Sequence, residues 1–449
     1  MTRTDPRTTG PPLRIAMVSE HASPLAALGG VDAGGQNVHV ARLATALAAR
    51  GHRVTVYTRR DAPAGRLPDE VPAGPGVTVR HVPAGPPEPL PKDLLLPHMP
   101  EFARFLAEQW ARDGAEGRPD LLHTHFWMSG VAALHALGSA PPDARRIPLC
   151  HTYHALGTVK RRHQGSADTS PRARIALERR IGERCDLVIA TCEDEVRELT
   201  AMGIPAERTT VVPCGVDPDT FRPDDPGDPG PGDSRSGSRP RPRSRSRHPF
   251  RLLHLGRLVP RKGAAVSIAA LARLPGTELV IAGGPPPEKL DSDPEVRRLR
   301  ETARRAGVAR RVVFTGAVPR DAVPALLRGA DVVLCPADYE PFGIVPLEAM
   351  SCGRPVVASA VGGQLDTVTD PGTGRLVPPG DPAALAAAVA ALLADPAARA
   401  ACGAAGRRRV LARYGWDRVA AATEAAYRAA LAPARAPAAG RAPAPAAAP

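Results

Sequence analysis

Residues 331–363, DVVLCPADYEPFGIVPLEAMSCGRPVVASAVGG, constrain the fold of this chain more than any other stretch. The apolar run at 332–335 reads as a strand buried on both faces, and such strands belong to parallel sheets covered by helices. Pro341, Phe342 and Gly343 read as a turn, and residues 344–351 as a helix stopped by Gly353. A strand feeding a helix through a tight turn is half of a βαβ unit. Its helix starts at the carboxyl end of the strand, with free backbone N–H groups aimed into the crevice where ligands of open α/β sheets bind. A diphosphate suits that place. Glu340 precedes the helix and Glu348 lies within it, with seven residues between them.

The same alternation runs through most of the chain, which predicts doubly wound α/β architecture. Strands are expected at 13–19, 53–58, 121–125, 148–152, 187–191 and 210–213, with a helix at 36–50 ended by Gly51. A second series follows at 252–255, 279–282, 312–315, 332–335 and 355–359. At 449 residues the chain exceeds what one hydrophobic core usually serves. Two domains are therefore expected, at 13–221 and 250–415, with a closing helix at 416–431 whose apolar stripe is Val419, Ala422, Ala426 and Ala430. Residues 1–12, 222–249 and 432–449 read as disordered. The middle segment is first acidic and rich in Pro and Gly, then carries six arginines in residues 234–248, and has no apolar anchor.

That segment also explains much of the net charge of +13. A basic low-complexity run can bind RNA or anionic lipid through salt-dependent contacts, but an inserted linker is the favoured account of it, so no specific nucleic-acid partner is expected. No stretch approaches the ~18 apolar residues of a membrane span, and residues 1–12 lack the apolar core of a secretory signal, so the expected location is the cytoplasm. The seven cysteines are scattered and have no C-x-x-C spacing, which argues against a disulfide framework or a zinc site.

Three further motifs bear on chemistry. Residues 256–263, GRLVPRKG, place Arg257 and Lys262 at a strand-to-helix junction, where fixed cations suit a diphosphate; Arg261 is expected to face solvent. Residues 29–37, GGVDAGGQN, lie between strand and helix, and their glycines permit close backbone approach to a ligand without forming G-x-G-x-x-G. His123 and His125 sit in HTHFW, and His151 and His154 in HTYH, at the ends of two strands. No carboxylate set completes a metal site around them, so no metal is expected.

The E-x7-E segment with its PFG turn and the following CGRPVVAS resembles the C-terminal domain of family-4 retaining glycosyltransferases, which have the GT-B fold: two Rossmann-like domains facing across a cleft. The GG-x-N loop resembles the branch of that family containing sucrose-phosphate synthases and D-inositol-3-phosphate N-acetylglucosaminyltransferases. The resemblance implies a metal-independent hexosyltransferase that needs no cofactor beyond its nucleoside diphosphate sugar, UDP-linked, and a small hydroxylated acceptor, phosphorylated or not. It implies catalytic roles for Glu340, Arg257, Lys262 and His154, with Glu340 and His154 toward the transferred sugar. Donor binding is implied for Glu348 at the ribose, for Gly34 and Gly35, and for Phe342, Gly343, Ile344 and Val345 at the helix start. Acceptor binding is implied for Asn37 and Phe126; Lys92 and Arg174, with Arg161 and Arg162 as further cations, are expected at an acceptor phosphate because ammonium and guanidinium groups suit that charge. Phe126 and Ala155 stand where the inositol-phosphate enzymes carry a tyrosine and a threonine, so two phosphate-binding hydroxyls are missing. The same donor site would serve a nucleotide-sugar epimerase or hydrolase, and the Arg/Ser run would serve an anion-binding protein.

Overall fold

A computed structural model describes residues 10–25, 34–63, 65–139, 146–224 and 248–432. Among them, eight strands build a first sheet: β1 (Arg14–Val18), β2 (Arg53–Arg59), β3 (Glu70–Pro72), β4 (Val77–Val82), β5 (Leu121–His125), β6 (Leu149–Thr152), β7 (Leu187–Ala190) and β8 (Thr209–Val211). Their order is β3-β4-β2-β1-β5-β6-β7-β8, parallel except for the edge pair β3–β4. Six more build a second, all-parallel sheet: β9 (Phe250–Leu255), β10 (Thr277–Ala282), β11 (Val312–Gly316), β12 (Val332–Cys335), β13 (Val356–Ser359) and β14 (Gly374–Val377), in the order β11-β10-β9-β12-β13-β14. Both are doubly wound, because each reverses its strand order beside a central strand, β1 in one and β9 in the other. Ligand crevices open at such reversals, beyond the carboxyl ends of the strands.

β12 and the helix Ile344–Ser351 occupy the residues their sequence predicts. β3, β4 and β14 were not expected. β4, VTVRHV, alternates apolar with polar side chains only as far as Arg80 and lies between Pro- and Gly-rich flanks, and β14 is only GRLV, so neither presents a long apolar run.

The chain passes into the second domain earlier than residue 221. Val216 and Phe221 both pack in the core of the second sheet, and the Phe221 carbonyl accepts from the buried Ser351 hydroxyl. The chain returns at Gly415. Helix Trp416–Leu431 then lies against helix Gly35–Ala49, β6 and β7 of the first sheet, burying Val419, Ala420, Ala426 and Tyr427. The expected stripe is partly wrong: Ala422 is exposed, and the buried face runs through Ala420, Thr423, Glu424 and Tyr427 instead. Glu424 is held there by Arg50, 2.7 Å away. The outward and return crossings touch, for Val216 donates its N–H to the Tyr414 carbonyl at 2.8 Å. Residues 1–9, 225–247 and 433–449, where disorder was expected, lie outside the described residues, as does most of the glycine loop before Gly34. No single helix among the described residues is long and apolar enough to cross a membrane.

Candidate active site between the two sheets

The second-domain wall is made by two strand-to-helix loops. After β9 the chain turns through residues 256–263 and packs on the loop after β12 so closely that a Cβ on Gly263 would fall 1.8 Å from the Pro336 carbonyl oxygen. With φ at 76°, only glycine fits there. This contact aligns Lys262 with Glu340, and the ammonium pairs with the carboxylate. Burial alone would raise the Glu340 pKa, but Lys262, with help from Arg261 and the Phe342 N–H, holds it below the usual carboxylate value. Arg261 does not face solvent as expected; it is half-buried and donates to the Tyr339 carbonyl at 3.3 Å. Arg257 is exposed at the mouth of the same loop.

Gly343, at φ 68°, caps helix Ile344–Ser351 and presents the first-turn N–H groups, Ile344 and Val345 among them, at the crevice. Glu348 is 1% exposed and contacts Arg320, which comes from beyond β11 and lies over the Phe221 ring at 4.6 Å. Burial dominates here, so its pKa is raised despite the arginine. Nothing in the sequence around Arg320 marks it, and it was missed.

On the first-domain wall, helix Gly35–Ala49 starts at Gly34, whose N–H donates to Asn37 Oδ1 at 3.1 Å. Asn37 Nδ2 donates to the Ser23 carbonyl at 3.0 Å, so this side chain, expected at the acceptor, ties down its own loop. β5 is buried at every residue. Strand alternation sends His123 and His125 to one face and Thr124 to the other, where Thr124 meets His151 Nδ1 at 2.7 Å. His123, His125 and His151 are therefore interior groups. His154 lies beyond β6 with φ 62°, a left-handed backbone unusual for a bulky residue, and is 3% exposed. Its Nε2 is 2.9 Å from His125 Nδ1.

Phe126, also at positive φ, lies with its ring 4.8 Å from His21 and 5.1 Å from the Arg174 guanidinium carbon. Arg174 is buried and donates to Glu178 at 2.7 Å, to the Ala155 carbonyl at 2.6 Å and to Ser170 at 3.1 Å. Arg162 pairs with Glu198 at 2.6 Å. Lys92, itself half-buried, opens the turn Lys92–Leu94 of the same domain.

The two walls meet. A Cβ on Gly35 would lie 3.0 Å from Ile344 Cδ1 and 3.4 Å from the Phe342 ring, and that ring sits 5.3 Å from His154. Tyr339 stacks on His163 at 5.4 Å, and Asp366 accepts from the Glu193 N–H at 2.7 Å. Gly35, His154, Phe342 and Ile344 thus converge, with Glu340 on the loop that carries Phe342 and Lys262 paired to it from the loop after β9. His39, not singled out from the sequence, joins the cluster with its ring 5.3 Å from His154 and 5.6 Å from Trp416. No three His, Cys, Asp or Glu side chains among the described residues are arranged to hold a metal ion. A separate cleft, lined by Arg104, Leu134, Ile147, Arg180 and Arg184, opens at the opposite end of β6 and includes none of these residues.

Residues 33–220 match the family model described as Glycosyltransferase Family 4, and residues 240–409 match Glycosyl transferases group 1. The D-inositol 3-phosphate glycosyltransferase of Xylanimonas cellulosilytica is 39% identical over 420 residues, spanning 93% of this chain and 96% of that protein. The chain belongs to glycosyltransferase family 4. The corresponding enzyme of Acidothermus cellulolyticus is 38% identical, over 94% of this chain and 91% of its own. Among solved structures, the sucrose-phosphate synthase of Thermosynechococcus elongatus aligns with a TM-score of 0.78 at 33% identity, covering 93% of this chain and 98% of that one. The fold is accordingly GT-B, and the crevice between its two domains is where the glycosyltransferase chemistry of this family member is to be sought.

Proposed function

We propose that this glycosyltransferase is retaining and metal-independent, and that it moves a hexosyl unit from UDP-glucose or UDP-N-acetylglucosamine to a small hydroxylated acceptor, phosphorylated or not. The observation that carries the reading is the Lys262–Glu340 pair, held at the mouth of helix Ile344–Ser351 and opposite His154. Arg257, Lys262 and the first-turn N–H groups receive the diphosphate. As the bond from the anomeric carbon to the β-phosphate oxygen breaks, they stabilise the charge that builds there, a task two fixed cations perform without a metal. The acceptor oxygen bonds to the anomeric carbon on the face the phosphate leaves, and its proton passes to a phosphate oxygen. Glu340, released from Lys262 by the incoming diphosphate, orients the sugar; Glu348, released from Arg320, accepts from the ribose hydroxyls. Contact between the walls expels water and suppresses donor hydrolysis. The names of the relatives support an inositol phosphate as one acceptor to assay.

Calorimetric titration with UDP, GDP and ADP in the presence of chelator tests this. UDP is expected to bind at micromolar concentration, at least tenfold more weakly in Glu348→Ala, whereas Arg257→Ala is expected mainly to lower turnover. Binding of GDP or ADP instead would reassign the base. Binding of none would remove the donor site and the reading with it.

A further inference from the structure

We propose that His125 is a positioning residue that fixes His154 with its proton on Nδ1, so that His154 donates a hydrogen bond to an oxygen of the bound sugar. The proposal rests on the donor reading above and follows from a count of protons along buried side chains. The Thr152 hydroxyl donates to the Ile189 carbonyl at 2.9 Å, so its oxygen accepts from His123 Nε2, also at 2.9 Å. His123 therefore carries its proton on Nε2, and its Nδ1 accepts from the Tyr427 hydroxyl at 2.7 Å. That ring is fully used.

His125 packs on it, with ring centroids 4.1 Å apart, and reaches His154 through the 2.9 Å contact between His125 Nδ1 and His154 Nε2. Burial, reinforced by the neighbouring rings, lowers the pKa of both histidines far below the ordinary value, so each carries a single ring proton. Two arrangements remain. If His154 donates to His125, the second His125 nitrogen bears an N–H with no acceptor. If His125 donates to His154, the unpaired N–H is on His154 Nδ1. Neither His125 Nε2 nor His154 Nδ1 has a partner among the described residues.

The surroundings distinguish the two. His125 is fully buried within the sheet, between β1 and β6, where no ligand can enter. Both orphan nitrogens are buried with the walls in contact, but His154 lies past the end of β6 against the Phe342 ring of the other domain, so parting of the walls uncovers His154 and not His125. A substrate oxygen can satisfy the orphan only at His154, and because a buried N–H without an acceptor is costly, a bound sugar selects that tautomer by about tenfold or more. The left-handed backbone of His154 is the local strain that holds its ring in this position.

The test compares affinity for UDP with affinity for UDP-glucose and UDP-N-acetylglucosamine in full-length wild type, His125→Leu and His125→Asn. His125→Leu removes the donor to His154; His125→Asn replaces it with an amide N–H near the same place. Expected results are UDP affinity within twofold throughout, a preference for the nucleotide sugar over UDP reduced about tenfold in His125→Leu, and recovery in His125→Asn. An unchanged preference in His125→Leu, or equal loss in both variants, would overturn the proposal. Ring-nitrogen NMR of histidine-labelled wild type with the nucleotide sugar bound reads the tautomer directly, independently of how the variants fold: a proton on His154 Nδ1 supports the proposal and a proton on Nε2 overturns it. Wild type that binds no UDP would instead overturn the donor reading, and this inference with it.

Discussion

On the second-domain wall each carboxylate singled out from the sequence meets a cation, Glu340 with Lys262 and Glu348 with Arg320, whereas the first-domain wall is lined by neutral histidines bonded to one another and to hydroxyls. The charged wall can exchange partners: a diphosphate and a ribose compete for groups already paired in the empty protein. The histidine wall has no ion pair to give up: its rings bond to one another and to hydroxyls, so a change at one nitrogen propagates to the next. One surface is organised to respond to a charged ligand, the other to hold a shape against it.

The strongest way to break this contrast is Lys262→Ala. It should lower transfer by about 10²–10³-fold, the usual effect of removing a group that stabilises transition-state charge, and any loss of stability should be modest because Glu340 is only partly buried. Steady-state kinetics and urea unfolding on the same samples would show it, and a large stability loss with turnover intact would reverse the assignment.

Acid should act on the histidine wall first. Burial lowers His39 to about 4 and His151 to about 3, against 6.5 in the unfolded chain. Because these folded values are depressed, their stabilising contribution is complete above pH 6.5 and is lost as pH falls toward 4, at ~1.4 kcal/mol per pH unit for each group. Glu340, with a depressed carboxylate pKa, surrenders its contribution only at lower pH, beneath about 4.5. The urea midpoint should therefore decline steadily from pH 6.5 to 4; a flat midpoint would mean that the histidines are hydrated.

Tyr427→Phe is a smaller and sharper probe. It leaves His123 Nδ1 without its donor and should cost about 1–3 kcal/mol in unfolding free energy, while UDP affinity on the other wall is unchanged. Least of all, Ala422→Glu should alter stability by no more than about 0.5 kcal/mol, because the residue faces solvent. A loss of several kcal/mol there would restore the stripe expected from sequence.

The charged wall was the more legible of the two. Strand, turn and helix around Glu340 and Glu348 follow from a short apolar run and a Pro-Phe-Gly turn, both local signals. Arg320 was not legible, since its relation to Glu348 is set by how β11 lies beyond β10 in the second sheet, and nothing at residues 319–322 encodes that neighbour. The histidines could be seen at strand ends, but not that three of them are sealed inside. That depends on helix Trp416–Leu431 returning across the first sheet, and its register could not be read because alanines occupy both its buried and its exposed faces. Asn37 and Arg174 were recognised as polar groups near the crevice, while the partners that occupy them, Ser23 and Glu178, emerge only from the packed chain.

The contact between Val216 and Tyr414 has a mechanical consequence. Two backbone segments cross between the domains, and they run side by side, linked by a hydrogen bond. A single tether would let the halves swivel about it; a doubled one resists torsion and leaves bending about one line as the soft motion. The walls can then part and meet again in the same register, so that Gly35 returns to Ile344 and His154 to Phe342 on each closure. Because Phe221 is already anchored in the second core, the outward half of this hinge is complete by that residue.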